Sequence, residues 1–196
     1  MSWVPVDVVG DPSWVSSQVA LSRSRYRGAS SRVLGTLWWY SASSVLVGPV
    51  AESVVAGGAV ADTSTLSLFV TPDGRMLDAR VGGACADPGV RLRGVLSAGI
   101  AAVAGVTGAS SRALWAIATD SVGNRVLWAG GSSAHASAIA AAVGAELPVP
   151  RFVTVGGRVV VRRASCCLIY EVEGEGKCVS CPRQRPEVRA ARLAGA

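Results

Sequence analysis

The sequence contains a single histidine, His135. A metal site built from several imidazoles, or a triad needing a histidine base, therefore has little to work with. There is no Gly-x4-Gly-Lys-Ser/Thr and no Gly-x-Gly-x-x-Gly after a strand. Glycine stretches such as 55–59 and 128–132 do not form a phosphate cradle, so no bound nucleotide or flavin is expected. Nor is there a strongly apolar run of roughly 20 residues, the length a spanning helix needs. The richest apolar stretches, 95–107, 45–61 and 134–149, are mostly Ala, Gly and Val and are interrupted by Ser, Pro, Glu or Arg. The mean hydropathy of +0.40 thus reads as buried helices of a tight core, and no integral membrane segment is expected. The opening MSWVPVDVVGDP shows no basic start followed by an apolar run. It does not read as a signal peptide, and a cytoplasmic location is the expectation.

The 196 residues, half of them hydrophobic, suit one domain with a small appendage and a sizeable core. The net charge of +6 is unevenly spread. Residues 151–196 hold nine Arg or Lys against four Glu, whereas residues 1–150 hold ten Arg against nine acidic residues. The basic tail has one Tyr, one Phe and no Lys-rich run. It reads as a solvated face, and no nucleic-acid partner is expected.

Asp11-Pro12 predicts an N-cap followed by Pro at the first helical position, opening a short helix to about Tyr26. Ser30-Ser31 opens a second. Its Val33, Leu34, Leu37, Trp38, Ser41 and Val45 fall on one face, and Gly48-Pro49 ends or kinks it. Helical composition then resumes as far as Gly57-Gly58. Leu66, Leu68 and Val70 alternate with Ser67 and Phe69. After the turn signal Pro72-Asp73-Gly74, residues 76–81 return as a partner strand. Helix-like composition recurs from Gly89 to Gly105, from Ser110-Ser111 through Trp115 to about Asp120, and from Ser132-Ser133 to near Gly144. Pro148 and Pro150 mark a boundary. Residues 152–155 and 158–163 flank Gly156-Gly157 as a second hairpin, and 187–193 form a short final helix. The expectation is an α+β chain: a helix-rich domain over 1–150, then a β-hairpin and metal-binding segment over 151–196, with two hairpins in all.

Four of the five cysteines, Cys166, Cys167, Cys178 and Cys181, lie within sixteen residues. A reducing compartment argues against disulfides and towards metal or redox chemistry. Four thiolates are the usual set for [2Fe–2S], for [4Fe–4S] and for structural zinc. Cys178 and Cys181 sit on one tight turn where both reach a single metal centre. The adjacent Cys166-Cys167 pair is unusual, because neighbouring side chains on a strand point to opposite faces. Both ligate only if the backbone bends, and Ser165 at the hairpin end is the candidate place. Between the pairs, Glu173-Gly174-Glu175-Gly176 allows a sharp reversal.

The segment SCCLIYEVEGEGKCVSCP, Ser165 to Pro182, resembles the C-terminal cluster motif of the FhuF-like ferric-siderophore reductases. That family binds [2Fe–2S] through Cys-Cys-x10-Cys-x2-Cys, the spacing found here. Arg112-Ala113-Leu114-Trp115 resembles the Arg and Trp of the family's central region. The resemblance implies a [2Fe–2S] cluster on Cys166, Cys167, Cys178 and Cys181. It also implies a one-electron enzyme that reduces ferric siderophores in the cytoplasm and releases ferrous iron. Electrons would come from a donor protein such as a ferredoxin. Arg162, Arg163, Lys177 and Arg183 are candidates for docking the substrate or donor because they lie near the ligands in sequence; Arg112 and Trp115 are candidates by resemblance. An iron–sulfur carrier or sensor without a siderophore, and a zinc-stabilised binding module, stay open beside it. His135 reads as a surface or capping residue, Cys85 as a small core or loop thiol, and the remaining tryptophans as core.

Overall fold

The computed structural model describes residues 1–195. In chain order it runs β1 (Ser2–Pro5), α1 (Pro12–Leu21), α2 (Ser31–Ala56), β2 (Ser67–Val70), β3 (Met76–Arg80), α3 (Pro88–Thr107), α4 (Ser111–Trp128), α5 (Ser133–Val143), β4 (Phe152–Val155), β5 (Arg158–Val161) and α6 (Pro186–Ala194). This is an α+β fold, with helices dominant and two small antiparallel sheets, as the sequence led us to expect.

Helix α2 is the axis around which α1, α3, α4, α5 and β3 pack. Ser30 Oγ accepts the Val33 N–H at its start, and Gly57, at φ +69°, closes it. Pro49 lies inside it: the helix runs through this residue to Ala56 instead of ending there. Because neighbours cover α2 on several sides, buried residues extend around it well beyond one face. They include Gly35, Ala42, Ser43 and Val47, while Ser41, expected on the inner face, is exposed. Two adjacent indoles fasten other elements to α2: Trp38 Nε1 donates to the Gly74 carbonyl at 3.0 Å, and Trp39 Nε1 to the Leu114 carbonyl at 2.9 Å. A donated hydrogen bond lets a large ring be buried without stranding its polar atom.

The β2–β3 hairpin forms as expected, but β1 was not anticipated. It joins β2 antiparallel, from Ser2 opposite Val70 to Pro5 opposite Ser67. A four-residue strand ending in Pro carries too little alternation to stand out. The helix expected to stop near Asp120 continues to Trp128 as α4, and this continuation positions the site. Among the described residues α3 alone has the length and apolarity to cross a membrane, being longer than the apolar run visible in the sequence. It packs against α1, α2, α4 and α5 through Leu92, Leu96, Ile100 and Val103.

Candidate metal centre

After β5 the chain crosses the flank of α4. There the Asp120 carboxylate takes three donors from it: the Ala164 N–H at 2.8 Å, the Ser165 N–H at 3.4 Å and Arg163 Nε at 3.5 Å. Both side chains of the Asp120–Arg163 pair are almost fully buried, with 1% and 3% exposed. The Arg163 guanidinium also stacks over the Tyr40 ring of α2, 4.6 Å from its centroid. Helices α2 and α4 thus fix the residues just before Cys166.

The chain bends at Ala164 and Ser165, where it was expected to, and turns again at Leu168, two residues after Cys166. Leu168 has φ +63°, the only positive φ of a non-glycine residue among those described. The left-handed region costs such a residue about 1–2 kcal/mol. Burial of the Leu168 side chain against the core offsets this cost. The reversal turns backbone donors towards the sulfurs: Leu168 N–H reaches Cys166 Sγ at 3.4 Å, and Ile169 N–H points to Cys167. In the spacer Gly174 takes φ +78°. The returning turn is closed by Cys181 N–H to the Cys178 carbonyl at 3.1 Å and braced by Gln184 Nε2 to the same carbonyl at 2.8 Å.

The four sulfurs meet in a chain, Cys166 hydrogen-bonding to its neighbour Cys167 and each of the two reaching one cysteine across the loop. Cys166 Sγ lies 3.7 Å from Cys181 Sγ. Cys167 contacts Cys178, and Arg163 Nη1 approaches both, at 3.9 and 3.4 Å. Two thiolates on one tetrahedral metal, each about 2.3 Å from it, stand about 3.8 Å apart. The Cys166–Cys181 separation matches that spacing, and all four cysteines are free thiols. Among the described residues no three His, Cys, Asp or Glu side chains are arranged to grip one metal ion. Cys178 and Cys181 sit together on the returning turn, as expected, and each also reaches a cysteine from the other end of the loop.

The electrostatics fit an anionic group. Arg163 Nη2 is buried and finds no acceptor among the described residues. A buried guanidinium N–H without a partner is costly, and a sulfide-bearing group held by the adjacent sulfurs would supply one. Burial opposes the charge on Arg163, but Tyr40, Cys167 and Asp120 outweigh it and hold the guanidinium protonated. Burial likewise pushes the Asp120 carboxyl up to about 6, against the pull of the Ala164 N–H and Arg163. Hydrogen bonds from Cys166 and then Cys178 lower Cys167, so it ionises first, and the same bonds hold Cys166 and Cys178 in the thiol form. Metal binding would displace those protons.

Residues 163–183 match the family described as the FhuF 2Fe-2S C-terminal domain. The chain is therefore an iron–sulfur protein with an FhuF-like cluster segment, and the four converging cysteines fit a [2Fe–2S] group. No curated protein matches the chain as a relative. The FhuF-like segment begins at Arg163, the residue that Asp120 anchors.

The other candidate residues fall in different places. Arg163 was expected to dock a partner; its burial corrects this and assigns it to the floor of the cysteine site. Arg162 is exposed and lines a groove between the β4–β5 hairpin and α6. Lys177 is exposed, and its Nζ donates to the Arg183 carbonyl at 3.1 Å. Arg183 lies beside Tyr170, its guanidinium 5.5 Å from the ring centroid. Arg112 is exposed and Trp115 half-buried on α4; neither lines the cavity beside Cys166. His135 Nδ1 accepts the Ser132 N–H at 3.0 Å, the capping role expected. Cys85 sits in the loop before α3, where its N–H donates to Val60. Sequence reasoning missed Asp120 and Tyr40. The available signal was the lone carboxylate of α4, set between the apolar Ile117-Ala118 and Val122 positions, where an ionisable side chain needs a buried partner.

Proposed function

We propose that this chain is a ferric-siderophore reductase of the cytoplasm, passing one electron to chelated ferric iron and freeing it as ferrous ion. The carrying observation is the four-cysteine site: Cys-Cys-x10-Cys-x2-Cys, within a segment similar to the FhuF 2Fe-2S C-terminal domain, with sulfurs that meet across the loop. When bound there, a [2Fe–2S] group supplies single electrons at a potential set by its surroundings.

The chain's own residues have separate tasks. Cys166, Cys167, Cys178 and Cys181 hold the group. Arg163 sets a positive charge beside Cys167 and Cys178, and Asp120 fixes Arg163 and the incoming backbone. The Leu168 and Ile169 N–H groups donate to sulfur. Cys167 and Cys181 are buried, whereas Cys166 and Cys178 are half-buried, which leaves a short path to the surface. Residues 1–150 act as the support and 151–196 as the cluster-bearing part. An acidic donor such as a ferredoxin would be drawn to exposed Arg162 and its neighbours.

Single-turnover kinetics test the reading. The reduced protein should reoxidise at least tenfold faster with a ferric siderophore than in anaerobic buffer. Equal rates with every ferric siderophore tried would leave an electron carrier or sensor and would end the reductase proposal.

A further inference from the structure

A cavity of about 510 Å³ opens beside the cysteine loop. Its wall includes Cys166 and Ser165 from the loop, Thr36 and Arg32 from α2, Ser110 at the start of α4, and Arg183. The volume lies within the range of small-ligand sites, and no carboxylate lines it. At the rim Arg32 holds Glu171 at 2.7 Å. Arg183 donates to the Tyr170 hydroxyl and has no carboxylate partner among the described residues. Lys177 sits directly behind it, on the Arg183 carbonyl. The two lining cations, Arg32 and Arg183, against the one carboxylate of Glu171 leave the rim net positive, and the half-buried Cys166 forms part of the wall.

We propose that this cavity is the substrate site and that it selects anionic, oxygen-liganded ferric chelates carrying free carboxylates. The proposal rests on the reductase reading and deepens it. Arg183 and Arg32 offer planar N–H forks that match carboxylates, and the Ser110 hydroxyl adds a donor. The negative charge behind Cys166 repels an anion, but the rim cations touch the ligand directly and so dominate at short range. A cationic chelate gains from the deeper charge and is repelled by the rim that it must pass. One electron leaves the reduced protein through the Cys166 side and enters the ferric ion, which becomes ferrous. The protein is oxidised by that one electron, which the donor protein later restores, and no carbon bond forms or breaks. The ferrous ion then leaves its oxygen ligands by exchange.

Gallium(III) has the charge of ferric iron and accepts no electron under these conditions, so it reports binding alone. The cluster-loaded protein is titrated with gallium(III) citrate and, separately, with a gallium(III) trihydroxamate bearing a free ammonium group, using calorimetry. The citrate complex should bind saturably and at least tenfold more tightly than the cationic one. Arg183→Gln, Arg32→Gln and the cavity-filling Ala113→Phe should each weaken it fivefold or more, with the visible spectrum unchanged. Ala113 lies on α4, outside the cysteine loop, so its variant keeps the test valid if Arg183→Gln or Arg32→Gln, which loses the Glu171 ion pair, disturbs the loop. Equal affinity for both chelates, or indifference to Arg32→Gln and Ala113→Phe, overturns the proposal. The two readings fail separately. Rapid reoxidation by ferric chelates with gallium binding indifferent to these variants discards the cavity and keeps the reductase. Charge-selective gallium binding here without faster reoxidation keeps the anion site and discards the reductase.

Discussion

Replacing Arg163 with Gln should lower the one-electron reduction potential of the loaded protein. The Arg163 Nη1 atom stands 3.4 and 3.9 Å from Cys178 and Cys167, on a side chain that is almost fully buried. A unit charge about 4 Å away is worth about 4 kcal/mol at an effective dielectric constant of about 20. If about half of the added electron density sits on the Cys167–Cys178 side, Arg163 favours the reduced form by about 2 kcal/mol. For a one-electron couple that is about 90 mV. The assay is a dye-mediated spectroscopic titration at pH 8.5, where Asp120 stays ionised in the wild type. Removing the cation raises the Asp120 carboxyl, so a double change is needed as a control. Arg163→Gln combined with Asp120→Asn removes one charge of each sign and should return the potential to within about 30 mV of the wild type, since the two Coulomb terms oppose each other. Arg163→Lys, which keeps the charge but loses the fork, should fall between. A shift below about 20 mV, or a rise, in Arg163→Gln would refute the electrostatic argument.

Other consequences concern stability and ligand identity. Asp120 moves from an ordinary value of 3.8 to about 6 because it is buried. Between those values the folded chain binds the proton more tightly than the unfolded chain, so this group's contribution to stability falls as pH rises, by about 3 kcal/mol in all. The urea-unfolding stability of the wild type relative to Asp120→Asn should therefore shrink between pH 4 and about 6; a widening gap would reverse the sign. A Cβ at Gly89 would strike the Ala142 backbone where α3 crosses α5, so Gly89→Ala should cost about 1–3 kcal/mol. A Tm equal to that of the wild type would show that the crossing relaxes. Serine at Cys166, Cys167, Cys178 or Cys181 should abolish or shift the visible spectrum, while Cys85→Ser should leave it intact. Bleaching by Cys85→Ser alone would mean a different ligand set.

Local signals made much of this legible in the sequence. Caps at Asp11, Ser30 and Ser132, the Pro72-Asp73-Gly74 turn and the two-glycine turn located most elements, because each depends on a few neighbouring residues. The metal site announced itself through four cysteines in one short segment. The parts that were not legible are long-range. Pro49 inside α2 shows tertiary packing overriding a local breaker. Strand β1 owes its existence to a partner more than sixty residues away. Asp120 reaches the site across 43 positions, and Tyr40 from another helix. Arg163 was misplaced for the same reason: nearness in sequence to the cysteines says nothing about which side of the backbone its side chain takes. The pairing of Cys166 with Cys181 arises from the left-handed turn at Leu168, a residue type that rarely adopts it.

The most direct test of the central claim is the metal and sulfide content of the purified protein, read together with its visible and reduced-state electron paramagnetic resonance spectra. The site described here predicts a red-brown protein with about two irons and two acid-labile sulfides per chain, and a spin-half signal on one-electron reduction. A colourless protein holding a single zinc would contradict it.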